Sequence, residues 1–256
     1  MPDYDHRPAD EAPNPIVGEY WDHVGPQTIP WHSHRRGQVI HVVRGCVTVE
    51  TEAGLFVLPP HRAIWLPPET RHSVRYPGEV AFRGIYLASG LTAPFPPRPT
   101  VLHVDRLTRE LIDKATRIAW DYGEHGPEAR LFAVLIDQLV ALKSVPLSLP
   151  DATDKRLRSI MAALKDNPAD QRTLAAWAET VHVSERTLAR HFRAETGLSF
   201  SAWRQQLRLL TALERLAAGE AITTIAIDLG YATPSSLTTM FKRAFGVAPT
   251  RFFDDT

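Results

Sequence analysis

The 256-residue sequence predicts an α+β chain of two domains. An N-terminal antiparallel β-barrel with a helical hairpin behind it is followed by an all-α C-terminal domain, built from two helix-turn-helix units joined by a long helix. Three observations predict it. Fifteen of the 21 prolines fall in the first 100 residues, between short runs rich in β-branched and aromatic side chains. Residues 144–150, SVPLSLP, carry two prolines and no apolar periodicity, which marks a break between domains. Beyond it, residues 184–197 (SERTLARHFRAETG) recur as residues 233–246 (TPSSLTTMFKRAFG), 49 positions on.

Taken in order, residues 1–15 hold four prolines and no periodic apolar pattern, and are expected to be a disordered tail. Residues 16–100 form the barrel. Its clearest strands are 38–43 and 46–50 across an Arg44-Gly45 turn, then 55–58, 63–66, 72–76 and 81–87, a spacing typical of a small antiparallel sandwich or barrel. Residues 89–99 are a proline-rich connector. Within 101–143, Leu107, Leu111, Ala115 and Ile118, then Leu131, Leu135, Ile136 and Leu139, give helical periodicity broken at 123–127, hence a hairpin that is either a lid on the barrel or a dimer seam. Residues 144–153 are the linker, and 154–256 the helical domain. Its expected helices are 154–166, 174–180, 184–195, 199–218, 222–229 and 234–245, with a last turn at 249–253.

Composition narrows the setting. One cysteine, Cys46, excludes an internal disulfide and fits a reducing compartment. No charged-then-apolar leader opens the chain and no apolar run approaches the roughly 20 residues of a membrane helix, so the expected location is cytoplasmic with no membrane partner. Formal net charge is zero, but residues 154–256 carry 14 Lys+Arg against 11 Asp+Glu, a mild excess that permits a nucleic-acid partner.

The repeat supplies the chemistry. In each copy a Ser or Thr N-cap precedes an i,i+4 apolar pair, Leu188/Phe192 or Leu237/Phe241, and a glycine stops the helix. Pro234 sits at the first helical position, where its missing N–H costs nothing. Each helix follows a shorter one across turns at 181–183 and 230–232, the arrangement that lays a second helix in the DNA major groove. With the apolar pair inward, Arg186, Arg190 and Arg193 share the outer face of the first copy, free for guanine edges or phosphates. The second copy turns out Ser235, Thr239, Lys242 and Arg243, with Thr238 flanking, a face poorer in bidentate donors. The intervening helix, 199–218, is about 30 Å long, close to the roughly 34 Å between successive major-groove faces. One chain could therefore read two groove segments of double-stranded DNA.

Residues 155–253 resemble the AraC/XylS family of transcriptional regulators, whose DNA-binding domain is two such units on one long helix. The second unit carries the family signature as Ile225-Ala226-Ile227-Asp228-Leu229-Gly230-Tyr231, then Leu237, Phe241-Lys242, Gly246, Pro249 and Phe252. The resemblance implies base contacts from Arg186, Ala189 and Arg190 in the first unit and from Pro234, Ser235, Thr238 and Thr239 in the second. It also implies RNA polymerase as a partner. A homodimer is the expected assembly if the helical hairpin is a seam. Two positions depart from the pattern: Thr239 is often Arg in the family, and Leu237 is often aromatic.

In the N-terminal domain, His32-x-His34, Gln38 and Gly45, followed by residues 67–72 (PPETRH) ending in His72, resemble the two motifs of the cupin barrel. There, histidines from neighbouring strands converge on a metal. Alternate residues on one strand face the same way, so His32 and His34 can both point inward, and imidazole suits divalent transition metals. Gln38 stands where the metal-binding pattern has Glu, and the histidines could instead hydrogen-bond within the pocket or to its ligand. His41 faces the other side of its strand and is expected to be structural or solvated. A barrel of this size encloses room for one small molecule, and the resemblance makes it the effector sensor. Trp31, Gln38, Phe56, Trp65 and Tyr86 are the candidate effector-binding residues, and His32, His34, Gln38 and His72 the candidate metal ligands. The HSHRRGQ run, together with the strand at residues 63–68 (AIWLPP), looks closest to the subgroup of regulators that control neighbouring export genes. The rival function is a metal-dependent cupin enzyme fused to a DNA-binding domain.

Overall fold

In a computed structural model of the chain, residues 9–246 and 248–252 are described. The strands, in chain order, are β1 (Ile16–Val24), β2 (Gln27–His32), β3 (Gly37–Arg44), β4 (Val47–Thr51), β5 (Gly54–Leu58), β6 (Arg62–Leu66), β7 (His72–Tyr76), β8 (Val80–Leu87) and β9 (Thr100–His103). Helices α1 (Arg106–Ala115) and α2 (Pro127–Ala141) follow, then β10 (Ser148–Pro150). The rest is helical: α3 (Lys155–Asp166), α4 (Leu174–Thr180), α5 (Glu185–Thr196), α6 (Phe200–Ala217), α7 (Ile222–Asp228), α8 (Pro234–Phe245) and α9 (Pro249–Phe252). Phe253 of the expected last turn lies outside the described residues.

The chain divides into two compact units. Among the described residues, the first comprises 9–51 and 58–147, the second 52–57, 148–246 and 248–252. In the first, one antiparallel sheet runs β1-β8-β3-β6-β9, and in a second sheet β7 pairs with both β2 and β4. Alternation along β3, β6 and β8 sorts their side chains. Val39, Ala63, Trp65, Ile85 and Leu87 turn to one face, where Ile112 and Ala115 of α1 and Phe132, Leu135 and Leu139 of α2 join them in one core. The hairpin thus packs on the sheet. A buried arginine on β8, Arg83, fastens it further through Asp113 of α1 at 2.7 Å. Gln38, Leu66 and Tyr86 are in register on the opposite face.

Two expectations are corrected. Residues 9–15 are not a disordered tail. Ala9–Glu11 is a turn of 3-10 helix, Asp10 accepts from the backbone N–H groups of Arg35 and Arg36, and the buried Arg36 guanidinium donates to the carbonyls of Ala12 and Asn14. Asn14 in turn donates to the carbonyls of Trp120 and Tyr122. Local composition carried the tail prediction, whereas these partners are 22 or more residues away. The first eight residues of the predicted tail lie outside the described residues.

Nor is the proline-rich stretch a bare linker. Ser148–Pro150 is β10, paired antiparallel with β5, and Leu149 is fully buried. Within the second unit, the Trp203 indole of α6 donates to Pro150 O at 2.8 Å, and Glu195 of α5 accepts from Thr153 N and Oγ1 and from Asp154 N. Proline is tolerated at the end of an edge strand because the ladder does not require its missing donor.

The repeat survives as two helix-turn-helix units. Ser184 and Thr233 cap α5 and α8 by accepting from Thr187 N and Ser236 N, and Gly197 and Gly246 end them at φ 73° and 80°. Leu188, Phe192, Leu237 and Phe241 are all buried. The first helices of the units, α4 and α7, are 48 positions apart and the second helices 49, so the second turn is one residue longer. Both turns pass through a left-handed residue, His182 at φ 55° and Gly230 at φ 74°. At Gly230 a side chain would also strike Gln171 Nε2 at 2.8 Å and the backbone of Ala169.

Candidate functional site

The histidines converge between the two sheets of the first unit. His32 on β2 pairs directly with His72 on β7, and His34 follows in the next loop. Their ring centroids are 4.2 to 5.5 Å apart, and one ligand atom from each lies within 4.8 Å of the others. Backbone carbonyls fix two tautomers: His32 Nδ1 is 2.8 Å from Pro30 O, and His72 Nδ1 is 2.8 Å from Thr70 O. A carbonyl only accepts, so both Nδ1 atoms carry hydrogen, and in the neutral form of either ring Nε2 keeps the lone pair. His72 Nε2 is buried without a hydrogen-bond partner. Burial, with His32 and His34 adding to it against the Thr70 hydrogen bond, depresses the His72 pKa to about 4. The ring is therefore neutral at pH 7, as a metal ligand must be.

Beside the cluster, Gln38 Nε2 donates to the Tyr86 hydroxyl at 2.9 Å, and that hydroxyl donates to Glu19 Oε1 at 2.7 Å. Gln38 Oε1 is buried and unpartnered. The Tyr86 ring stands edge-on to His34, centroids 5.4 Å apart. Burial, followed by the Glu19 charge, raises the Tyr86 pKa well above 10, so the hydroxyl stays a donor. Three clustered imidazoles are a donor set for a borderline divalent ion such as Zn, Ni, Co or Fe(II). These residues fit such an ion, with two buried acceptors otherwise unsatisfied at roughly 1–3 kcal/mol each.

Of the expected pocket walls, Gln38 and Tyr86 are here. Trp65 is on the opposite face of the sheet, stacked on Phe95 at 4.3 Å with its indole N–H on Pro96 O, and belongs to the core under the hairpin. Trp31 is 41% exposed, with the Arg71 guanidinium 5.4 Å from its ring centre. Phe56 is on β5, opposite Ser148, in the second unit. Side-chain type suggested Trp31 and Trp65, but strand phase decides which face an aromatic takes. His41 is structural rather than solvated: it is 2% exposed, with Nδ1 3.1 Å from Arg62 O.

The second unit presents the other site. On α5, Arg186, Ala189, Arg190 and Arg193 are exposed opposite the buried Leu188 and Phe192. Among the described residues no carboxylate pairs with these three arginines, whereas in the same unit Arg156 and Arg172 each hold one and Arg215 holds two. On α8, Ser235, Thr239, Lys242 and Arg243 are exposed, and Pro234 and Thr238 half-buried. Thr238 and Thr239 donate their hydroxyl hydrogens back to the carbonyls of Pro234 and Ser235, leaving those oxygens chiefly acceptors. The spacer α6 has 18 residues, hence about 27 Å.

Residues 14–140 match the AraC-like ligand binding domain, and residues 177–255 a helix-turn-helix domain. The HTH-type transcriptional regulator NimR of Escherichia coli (strain K12) is 32% identical over 225 residues, covering 88% of this chain and 82% of that protein. The chain belongs to the AraC/XylS family of transcriptional regulators. The HTH-type transcriptional regulator RipA of Corynebacterium glutamicum is 41% identical over 107 residues, 42% of this chain and 31% of that protein. Among solved structures, ToxT from Vibrio cholerae aligns over 94% of this chain and 98% of that one, at 12% identity and a TM-score of 0.40.

As a family member the chain is a DNA-binding transcriptional regulator with an N-terminal ligand-binding domain. No helix among the described residues is long and apolar enough to cross a membrane. The sequence reading missed Glu19 and the role of Glu195. Both are lone acids whose partners come from distant segments, so only the register of β1 against β8 could have revealed the first.

Proposed function

We propose that this AraC/XylS regulator reads sequence mainly with α5 and anchors with α8. The carrying observation is the exposed, unpaired arginine face of α5. In this reading Arg186, Ala189 and Arg190 meet base edges, and Arg193 meets phosphate. Pro234, Ser235, Thr238 and Thr239 make softer contacts in the next groove, with Lys242 and Arg243 on its backbone. Selection of DNA fragments by the full chain tests it: wild type should enrich one motif, and Arg186→Ala or Arg190→Ala should relax it at defined positions. An unchanged motif in both variants would overturn the assignment.

A second reading concerns the effector. The unpartnered His72 Nε2, beside the carbonyl-fixed His32 imidazole and the His34 ring, favours a divalent transition metal held by His32, His34 and His72 with Gln38. A bound ion would supply a fixed double charge tying β2 to β7. The protein's response then depends on how much more tightly one of its arrangements holds that ion. Elemental analysis of purified wild type against His32→Ala/His72→Ala tests it, since equal metal content would exclude the site. The barrel acts as a sensor and not as a catalyst in this account, and turnover by the full chain with added iron or manganese would revive the cupin-enzyme alternative. The cytoplasm is the place of action and RNA polymerase the downstream partner. A homodimer through the outer face of α2, where Val134 and Val140 are exposed at 47% and 40%, fits the hairpin.

A further inference from the structure

We infer that Tyr86 and Glu19 are positioning residues for the histidine site, locking the Gln38 amide so that its oxygen, and not its nitrogen, is presented as the fourth donor. The inference rests on the reading that the histidines hold a metal. It follows from counting hydrogens. An amide side chain can turn over, exchanging a carbonyl oxygen that binds cations for an NH2 group that repels them. Gln38 and Tyr86 sit opposite one another on β3 and β8, so their contact is set by the ladder and cannot slide away. The tyrosine hydroxyl owns one hydrogen, and that hydrogen is given to Glu19 Oε1 at 2.7 Å. Towards Gln38 the phenol oxygen can then only accept. The amide must offer it Nε2, which lies 2.9 Å away, and Oε1 is left on the other side, buried without a protein partner.

Without the Glu19 carboxylate, the Tyr86 hydrogen is free to turn to Gln38. The amide could then reverse and present NH2 to the site. Glu19 is suited to such a test because it also borders an open pocket of about 670 Å³ beside Thr116 to Asp121, so shortening it leaves no sealed cavity.

The experiment uses the full chain and Co(II) as probe, read by visible absorption and by competition with Zn(II) in calorimetry. Wild type should bind one Co(II), lost in His32→Ala/His72→Ala. Glu19→Ala and Tyr86→Phe should weaken it about 10- to 100-fold, the usual effect of removing a partner of a metal ligand, and should shift the Co(II) bands. Glu19→Gln retains an acceptor for the hydroxyl and should stay within a few-fold of wild type. In a Gln38→Glu background both side-chain atoms are oxygens, so orientation no longer matters and Glu19→Ala should have almost no effect. A structural role for Glu19 would persist in that background. If wild type binds no Co(II) or Zn(II), the metal reading fails and this inference with it. If wild type binds through the histidines but Glu19→Ala and Tyr86→Phe bind equally well, only the positioning role is overturned.

Discussion

His41 makes the first unit acid-sensitive by an amount that can be worked from its surroundings. Its ring is 2% exposed on the hairpin face of β3, and Nδ1 gives its hydrogen to Arg62 O. Burial depresses its pKa from 6.5 to about 4, and His61, Arg109 and Arg83 act in the same direction against the Arg62 hydrogen bond. The unfolded chain therefore takes up a proton near pH 6.5 while the folded one declines it until near pH 4. The stability in question is fully present above pH 6.5 and is lost as pH falls through that window. At 1.36 kcal/mol per unit the whole effect is about 3 kcal/mol, of which about 2 kcal/mol has gone by pH 5. The perturbation is His41→Asn, which keeps a donor near the Nδ1 position and cannot take up a proton. Urea unfolding of metal-free protein, followed by tryptophan fluorescence at pH 7 and pH 5, gives the comparison. Wild type should lose about 2 kcal/mol more than the variant between the two pH values, because the other acid-sensitive groups, His72 among them, are common to both. Equal losses would refute the reasoning, since they would mean that His41 is protonated as readily in the folded unit as outside it.

Other outcomes follow from single contacts. Gly230→Ala meets both a left-handed φ and the backbone of Ala169, and should destabilise the second unit by roughly 1–3 kcal/mol in thermal unfolding. His182→Gly, which relieves the corresponding turn in the other helix-turn-helix, should cost less than about 1 kcal/mol or stabilise. Ser184→Ala and Thr233→Ala should each cost about 1 kcal/mol by exposing the first-turn N–H groups of α5 and α8. Thr239→Arg adds a guanidinium to an exposed face that lacks one, and should tighten binding to a selected DNA fragment several-fold in fluorescence anisotropy. An unchanged affinity would place Thr239 away from the duplex.

The helical half was legible because its determinants are local. Caps, i,i+4 pairs and terminal glycines lie within one helix, and the repeat supplied an internal check at Leu188/Phe192 and Leu237/Phe241. The one-residue difference between the turns was missed because matching the second helices alone does not constrain the first ones. In the barrel, the His32, His34 and His72 cluster was visible from motif spacing. Its partners were not: Glu19, 67 residues from Tyr86, and Asp10, which holds the Arg35–Arg36 loop, act across distances that no periodicity encodes. Trp65 was misassigned to the pocket face for a related reason. A strand displaced by one residue exchanges its two faces, and side-chain type alone does not set the phase. The proline-rich stretch misled because two prolines in seven residues read as a break, while an edge strand can carry proline at its end.

The division of labour between the recognition helices is the central claim, and one measurement addresses it directly: binding of wild type, Arg190→Ala and Lys242→Ala to a selected fragment and to random DNA across a salt series. Arg190→Ala should lose about 1–3 kcal/mol on the selected fragment and far less on random DNA, while Lys242→Ala should weaken both about equally and reduce the salt slope by about one. Equal losses on the two DNAs for Arg190→Ala, or a sequence-selective loss for Lys242→Ala, would contradict the account.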